Sequence, residues 1–272
     1  MMKKNQIISI TCLTDSIYKC QIHVPDWAKY AKAGQFLMIR VLENGERFPL
    51  TIVEHDQSSV TVIFKVIGLS TKLLSRLKES DVLYEVLGPL GKASIVKDTR
   101  EVVVIGGGVG NAISYAIAKH LHQSNHDVYY IGGFKNCSDV FFVDEISAVS
   151  QEAIFYVEEN NQQYNIGNVM DGLKQIASQR KITQVFCAGP LRMMQAISNY
   201  CKDHDIDVIV SLNPIMVDGI GMCGGCRVEV DHQTMFACVD GPEFDGQKVD
   251  FEQLIKRNNT YTAHDCVLEK QL

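Results

Sequence analysis

The chain has 272 residues, about twice the length of a typical domain, so two domains are expected. Its 46% hydrophobic and 21% charged residues are an ordinary globular composition, which excludes a disordered chain. A formal charge of -6 with no Lys/Arg stripe excludes a nucleic-acid footprint.

The N-terminus opens on Lys3 and Lys4, but the apolar run that follows is short and is broken by Thr11, Thr14 and Asp15. It lacks the apolar core of a signal peptide. Segments 6–12, 36–41, 50–53, 60–66 and 82–86 are rich in β-branched residues and separated by polar turns. That spacing predicts an antiparallel β-barrel or sandwich over residues 1–97, interrupted by one helical piece at 70–77. The pattern changes at Gly88-Pro89-Leu90-Gly91.

Strands then alternate with helices. Strands are predicted at 102–105, 128–131, 153–157, 185–188 and 208–212, and helices at 111–121, 144–150, 168–178 and 191–202. This is the signature of an α/β parallel-sheet domain over 98–212, with helices on both faces. The longest charge-free apolar stretch, 102–118, contains four glycines, Asn111 and Ser114. It reads as a buried strand, turn and helix, so no membrane span is expected and a cytoplasmic location is. After Asn213-Pro214 a loop-rich tail, 213–272, begins.

Nine cysteines in such a chain raise the question of metal or redox chemistry rather than disulfides. Cys12, Cys20, Cys137, Cys187, Cys201 and Cys266 are scattered and read as small buried side chains. Cys223, Cys226 and Cys238 are clustered, and with Asp218 they give the spacing D-x4-C-x2-C-x11-C. With Cys in place of Asp this is the plant-type [2Fe–2S] arrangement. Gly219, Gly221, Gly224 and Gly225 let the backbone wrap closely and aim amides at an anionic cluster. Cys238 is expected on a strand that hairpins back from 227–230 across Asp231-His232-Gln233. Asp218, Cys223, Cys226 and Cys238 are the candidate metal ligands. Two other readings stay open. The set also suits structural zinc, and Asp218 can be a solvated loop residue with Cys266 or His232 as the fourth ligand.

In Arg47-Phe48-Pro49-Leu50-Thr51 an Arg precedes a Pro-Leu-Thr turn. Its guanidinium can reach a pyrophosphate while the Thr hydroxyl faces an isoalloxazine ring; the plain alternative is a surface Arg beside a strand. Phe64-Lys65-Val66-Ile67-Gly68-Leu69-Ser70-Thr71 ends a strand in a turn that opens a helix, suited to phosphate or simply to a capped helix. Ile105-Gly106-Gly107-Gly108-Val109-Gly110 joins a buried strand to a helix, the context of a nucleotide loop, although GGGxG is not GxGxxG. Cys187-Ala188-Gly189-Pro190 lies at the carboxyl end of a strand, where open α/β sheets bind ligands. Cys187 itself reads equally well as a buried core thiol.

Together these motifs resemble the ferredoxin-NADP reductase superfamily. Within it they resemble the electron-transfer subunits of dihydroorotate dehydrogenase B, sulfide dehydrogenase (beta subunit) and NADH-dependent reduced ferredoxin:NADP oxidoreductase (small subunit). The most specific stretches are Ser211 to Cys226 and Ala237 to Asp245. The resemblance implies FAD on Arg47, Pro49, Leu50 and Thr51, and on Phe64, Lys65, Val66, Gly68, Ser70 and Thr71. It implies NAD(P)H near Gly107, Gly108, Gly110, Gly189 and Pro190, with Cys187 as the catalytic-site candidate at the nicotinamide. It further implies a [2Fe–2S] cluster in the tail and a larger flavoprotein partner, in some relatives with ferredoxin-linked electron bifurcation. Two competing expectations are an electron-transfer subunit of pyrimidine biosynthesis, a branch that generally carries four cysteines, and a non-enzymatic zinc-containing nucleotide-fold module. Two departures bear on the nucleotide. Asn111-Ala112-Ile113 stands where the family has an apolar-Ala-Pro run, and Glu158-Glu159-Asn160-Asn161 stands in place of an Asp-Gly-Ser loop.

Overall fold

In a computed structural model, which describes residues 2–95 and 99–259, the chain divides into two compact units. The first comprises 2–92, 213–242 and 250–259, and the second 93–95, 99–212 and 243–249.

The β-branched segments of the first unit form β1 (Gln6–Thr14), β2 (Ile17–His23), β3 (Phe36–Arg40), β4 (Arg47–His55), β5 (Ser59–Lys65) and β6 (Glu85–Leu90), with the short helix α1 (Leu69–Ser75) before β6. Their order is β1-β2-β5-β4-β3-β6, and every neighbouring pair is antiparallel. The sheet closes through the segment leading into β6. Ile7 N donates to Asp81 O at 2.8 Å and Leu83 N to Asn5 O at 3.0 Å, on either side of a Gln6–Val82 bridge. The expected barrel therefore forms, and closure removes its exposed edges. Ile7, Ile22, Leu37, Ile39, Ile52, Val62, Phe64 and Val86 fill the interior, and Phe48 and Leu50 pack against them. Since side chains alternate along a strand, Arg47, Pro49 and Thr51 stand on the outer face of β4.

In the second unit, β7 (Glu101–Gly107), α2 (Gly110–Gln123), β8 (Asp127–Phe134), α3 (Val143–Ala148), β9 (Glu152–Val157), β10 (Asn165–Ile166), α4 (Val169–Gln179), β11 (Gln184–Ala188), α5 (Leu191–Asp203) and β12 (Asp207–Ser211) realise the predicted alternation. The tail then adds β13 (Arg227–Val230), β14 (Gln233–Phe236), β15 (Glu243–Asp245) and α6 (Phe251–Asn258). The large sheet runs β10-β9-β8-β7-β11-β12-β15, parallel throughout except where β15 meets β12. Strand β7 is buried from Val102 to Gly107, as a strand covered on both faces must be. The strand order reverses between β7 and β11, which makes their carboxyl ends the switch point at which such sheets bind ligands.

Within the first unit, β13 and β14 pair from Arg227↔Phe236 to Val230↔Gln233. Helix α6 is capped by Asp250, whose carboxylate accepts from Gln253 N, and it buries Phe251 and Leu254. Three features differ from the sequence reading. Cys238 lies past the end of β14 rather than on it, because the hairpin ends at Phe236. Residues 80–83 close the barrel, so the last strand starts at Glu85 instead of 82. Strand β2 and helix α6 were not anticipated. Among the described residues no helix is long and apolar enough to cross a membrane.

Candidate functional site

The outer row of the barrel is charged. Arg40 lies opposite Arg47 on β4 and opposite Glu85 on β6. Arg47 grips Glu85 through Nε at 2.6 Å and Nη2 at 3.1 Å, a bidentate charge-assisted pair. The bond to Arg47, reinforced by Arg40, outweighs burial and holds the Glu85 carboxyl below its ordinary range. Pro49 and Thr51 continue this face. Leu50 packs on the core, and Phe64 is buried and stacked on Tyr18 at 5.7 Å, so any contact they make with a ligand falls to their backbone. Lys65 ends β5 and Val66 packs against the core. Gly68 is the N-cap of α1, and the Thr71 hydroxyl accepts from Ile67 N and Gly68 N at 3.0 and 3.2 Å. Ser70 is one residue earlier and donates weakly to Glu46.

The turns after β7 and β11 approach each other closely. A side chain at Gly107 would strike Met193 and Pro190, and one at Gly110 would strike the Ala188 carbonyl. Gly108 is left-handed at φ 54°. Glycine is therefore a steric requirement of this cradle. Asn111, which sequence reasoning noted only as a departure, organises it. The residue is fully buried, and its Nδ2 donates to Gly108 O at 2.9 Å and to Gly133 O at 3.3 Å. The buried Tyr130 hydroxyl donates to Asn111 Oδ1 at 3.1 Å, and burial pushes its phenol pKa up, keeping it a donor. Cys187 pairs with Ile105 and Val210 in the middle of the sheet and is fully buried. Burial, then the nearby Cys201, pushes its thiol far up, so it is neutral and not a nucleophile. Beyond β9, the loop 158–161 is knitted locally, with the Asn161 side-chain Oδ1 accepting from Gln163 N and Tyr164 N.

In the tail the candidate donors fall into two pairs. Cys226 and Cys238 are buried with their sulfurs 3.2 Å apart. Burial, then Cys226, raises the Cys238 thiol to about 12. Asp218 accepts from Ile220 N at 2.9 Å and from Cys223 N. Burial pushes its carboxyl up, but these backbone bonds and the Cys223 thiol outweigh it and hold the group ionised. Cys223 is exposed, and Gly225 N donates to its sulfur at 3.4 Å. From α6, Arg257 donates to Gly225 O at 3.2 Å, a clamp on the loop that no spacing rule announces. His232 is exposed at the hairpin tip, and Cys266 lies outside the described residues. Among the described residues no three His, Cys, Asp or Glu side chains gather where one ion could be held. Three thiols and one carboxylate with lone pairs to spare fit a two-iron cluster, in which each iron takes two protein donors.

Residues 213–250 match the family described as the iron–sulfur cluster binding domain of dihydroorotate dehydrogenase B. A dihydroorotate dehydrogenase B (NAD(+)) electron transfer subunit homolog from Thermotoga maritima is 37% identical over 97% of this chain and 93% of its own length. The electron transfer subunit of dihydroorotate dehydrogenase B from Clostridium perfringens is 30% identical over 80% of this chain and 87% of its own. A solved chain of the NADH-dependent reduced ferredoxin-NADP oxidoreductase, studied for flavin-based electron bifurcation, superimposes with a TM-score of 0.93 at 35% identity, covering 100% of this chain and 98% of the other. The chain belongs to the family of dihydroorotate dehydrogenase B electron-transfer subunits and their homologues.

Proposed function

We propose that this chain is the electron-transfer subunit of an NAD(P)H-linked oxidoreductase, carrying FAD and a [2Fe–2S] cluster and serving a larger flavoprotein partner in the cytoplasm. The spacing D-x4-C-x2-C-x11-C carries the reading, with the sulfurs of Cys226 and Cys238 paired and Asp218 held by the Cys223 amide. That spacing favours a [2Fe–2S] centre over a single zinc ion. Bound together, FAD and the cluster couple a two-electron hydride donor to one-electron carriers.

The chain's own residues supply binding and orientation. The outer face of β4 presents Arg47 for the anionic pyrophosphate and Thr51 for the flavin ring, with Pro49 and the backbone of Leu50 between them. Backbone groups of Phe64, Lys65, Val66 and Gly68, with Ser70 and Thr71, would line the other side. Gly107, Gly108 and Gly110 admit a nicotinamide nucleotide close to the backbone, opposite the Gly189–Pro190 turn. Cys187 would act there as a neutral apolar side chain, since hydride transfer needs no proton donor or acceptor from the protein. The names of the relatives point to NADH as the nucleotide. The similarity to the NADH-dependent reduced ferredoxin-NADP oxidoreductase favours a ferredoxin-linked assembly.

Anaerobic isolation from the native host tests this reading. The expected preparation is yellow-brown, contains flavin and iron, and co-elutes with a second flavoprotein. A colourless, zinc-containing protein without flavin would overturn it.

A further inference from the structure

The charged row on the barrel poses a question that the proposed function leaves open. If Arg47 is to hold a pyrophosphate, its grip on Glu85 is either a competing contact or a support. Geometry decides between these. Glu85 engages Nε and Nη2, one edge of the planar guanidinium, at 2.6 and 3.1 Å. The Nη1 edge is left for another acceptor. Arg40 does not take over the carboxylate: its Nε stands 3.6 Å from Glu85, and its guanidinium lies over the Tyr84 ring at 4.4 Å. Two cations thus share one anion, with Asp218 acting on Arg47 from farther off and Glu43 accepting from the Tyr84 hydroxyl. All three residues project from paired positions of a closed sheet, so the carboxylate is a fixed base for the fork rather than a mobile rival.

We propose that Glu85 is the positioning residue for Arg47, presetting its guanidinium for the flavin pyrophosphate, while Arg40 stays over the Tyr84 ring. This rests on the reading that Arg47 binds FAD. An unsupported arginine would have to give up its rotamer freedom on binding, and Glu85 removes that cost in advance.

The test uses the full-length protein stripped of flavin and titrated with FAD and with riboflavin, which lacks phosphate, by flavin fluorescence. E85A should raise the FAD Kd about tenfold and E85Q, which keeps one acceptor, about threefold. Neither should change riboflavin binding, and the unfolding midpoint should fall only slightly, as for a partly exposed ion pair. In the R47A background, adding E85A should change the FAD Kd by less than about twofold, because the support acts only through the arginine. Unchanged or tighter FAD binding in E85A, an additive loss in R47A/E85A, or an equal loss for riboflavin would each overturn the proposal. Failure of the underlying reading shows separately, as R47A binding FAD as well as the unaltered protein does.

Discussion

The two glycine-rich loops of this molecule are built for opposite reasons. In the loop after β7, glycine is demanded by neighbours: at Gly110 a methyl group would meet the Ala188 carbonyl and the Gly189 backbone, and the buried Asn111 ties the turn to Gly108 and Gly133. At Gly221 in the tail, backbone conformation is the first demand. Gly221 has φ 87°, the nearest obstacle to a side chain there is the exposed Val239, and the neighbouring Met222 and Cys223 are exposed. The first loop is a finished cradle held by packing. The second is held by backbone amides donating to Asp218, by Arg257 donating to Gly225 O, and by the sulfur pair of Cys226 and Cys238. A cradle of the first kind is preorganised without a ligand, whereas a metal-binding loop is completed by its metal.

Substitutions can break that contrast. G110A should destabilise the protein by about 3 kcal/mol, since backbone cannot yield to the added carbon, whereas G221A should cost only about 1 kcal/mol. Equal losses in denaturant unfolding would erase the distinction. Asn111→Ala removes three buried hydrogen bonds from the cradle and should cost about 2 kcal/mol. It should also weaken NADH binding, with the iron content unchanged.

A pH comparison separates packing from charge in the second unit. Glu243 is held by Ser94 Oγ at 2.7 Å, but its other oxygen is buried without a partner. Burial raises its carboxyl from 4.5 to about 7. The folded protein therefore binds this proton more tightly than the unfolded chain does. Stability falls as pH rises from 4.5 to about 7, and the full penalty stands above that. E243Q should stabilise by about 2 kcal/mol near pH 8 and by almost nothing near pH 4. A gain that does not vary with pH would contradict this. The smallest effect is expected for R257Q, about 1 kcal/mol or less in unfolding, together with faster loss of iron to a chelator. Iron loss at the rate of the unaltered protein would show that the loop does not need the clamp.

Much of this was legible in the sequence because it follows from period and punctuation. The uninterrupted apolar run of β7 announces a parallel core strand, and the spacing of short β-branched segments over residues 1–97 announces a barrel. The x4 and x2 spacing with four glycines announces the metal loop. Most of what escaped depended on tertiary partners. Strand β2 (Ile17–His23), by contrast, alternates Lys19, Gln21 and His23 with the buried Cys20 and Ile22, a period-two signal that a reading based on β-branched runs passes over. Helix α6 is short and largely polar, and it is recognisable only through its Asp250 cap and the surface it covers. The roles of Asn111, Glu85 and Arg257 arise from groups 19 to 38 residues away in sequence, which no local spacing encodes. Cys187 shows the reverse: a turn at the correct sheet edge suggested chemistry, and burial leaves it a neutral thiol.

The account turns on what the paired donors of the tail hold, so the most direct measurement is metal and sulfide analysis of the protein prepared without oxygen, with EPR of the reduced form. It predicts about two irons and two acid-labile sulfides per chain, with a spectrum that D218A alters while bound flavin is retained. One zinc per chain, or iron without sulfide, would contradict it.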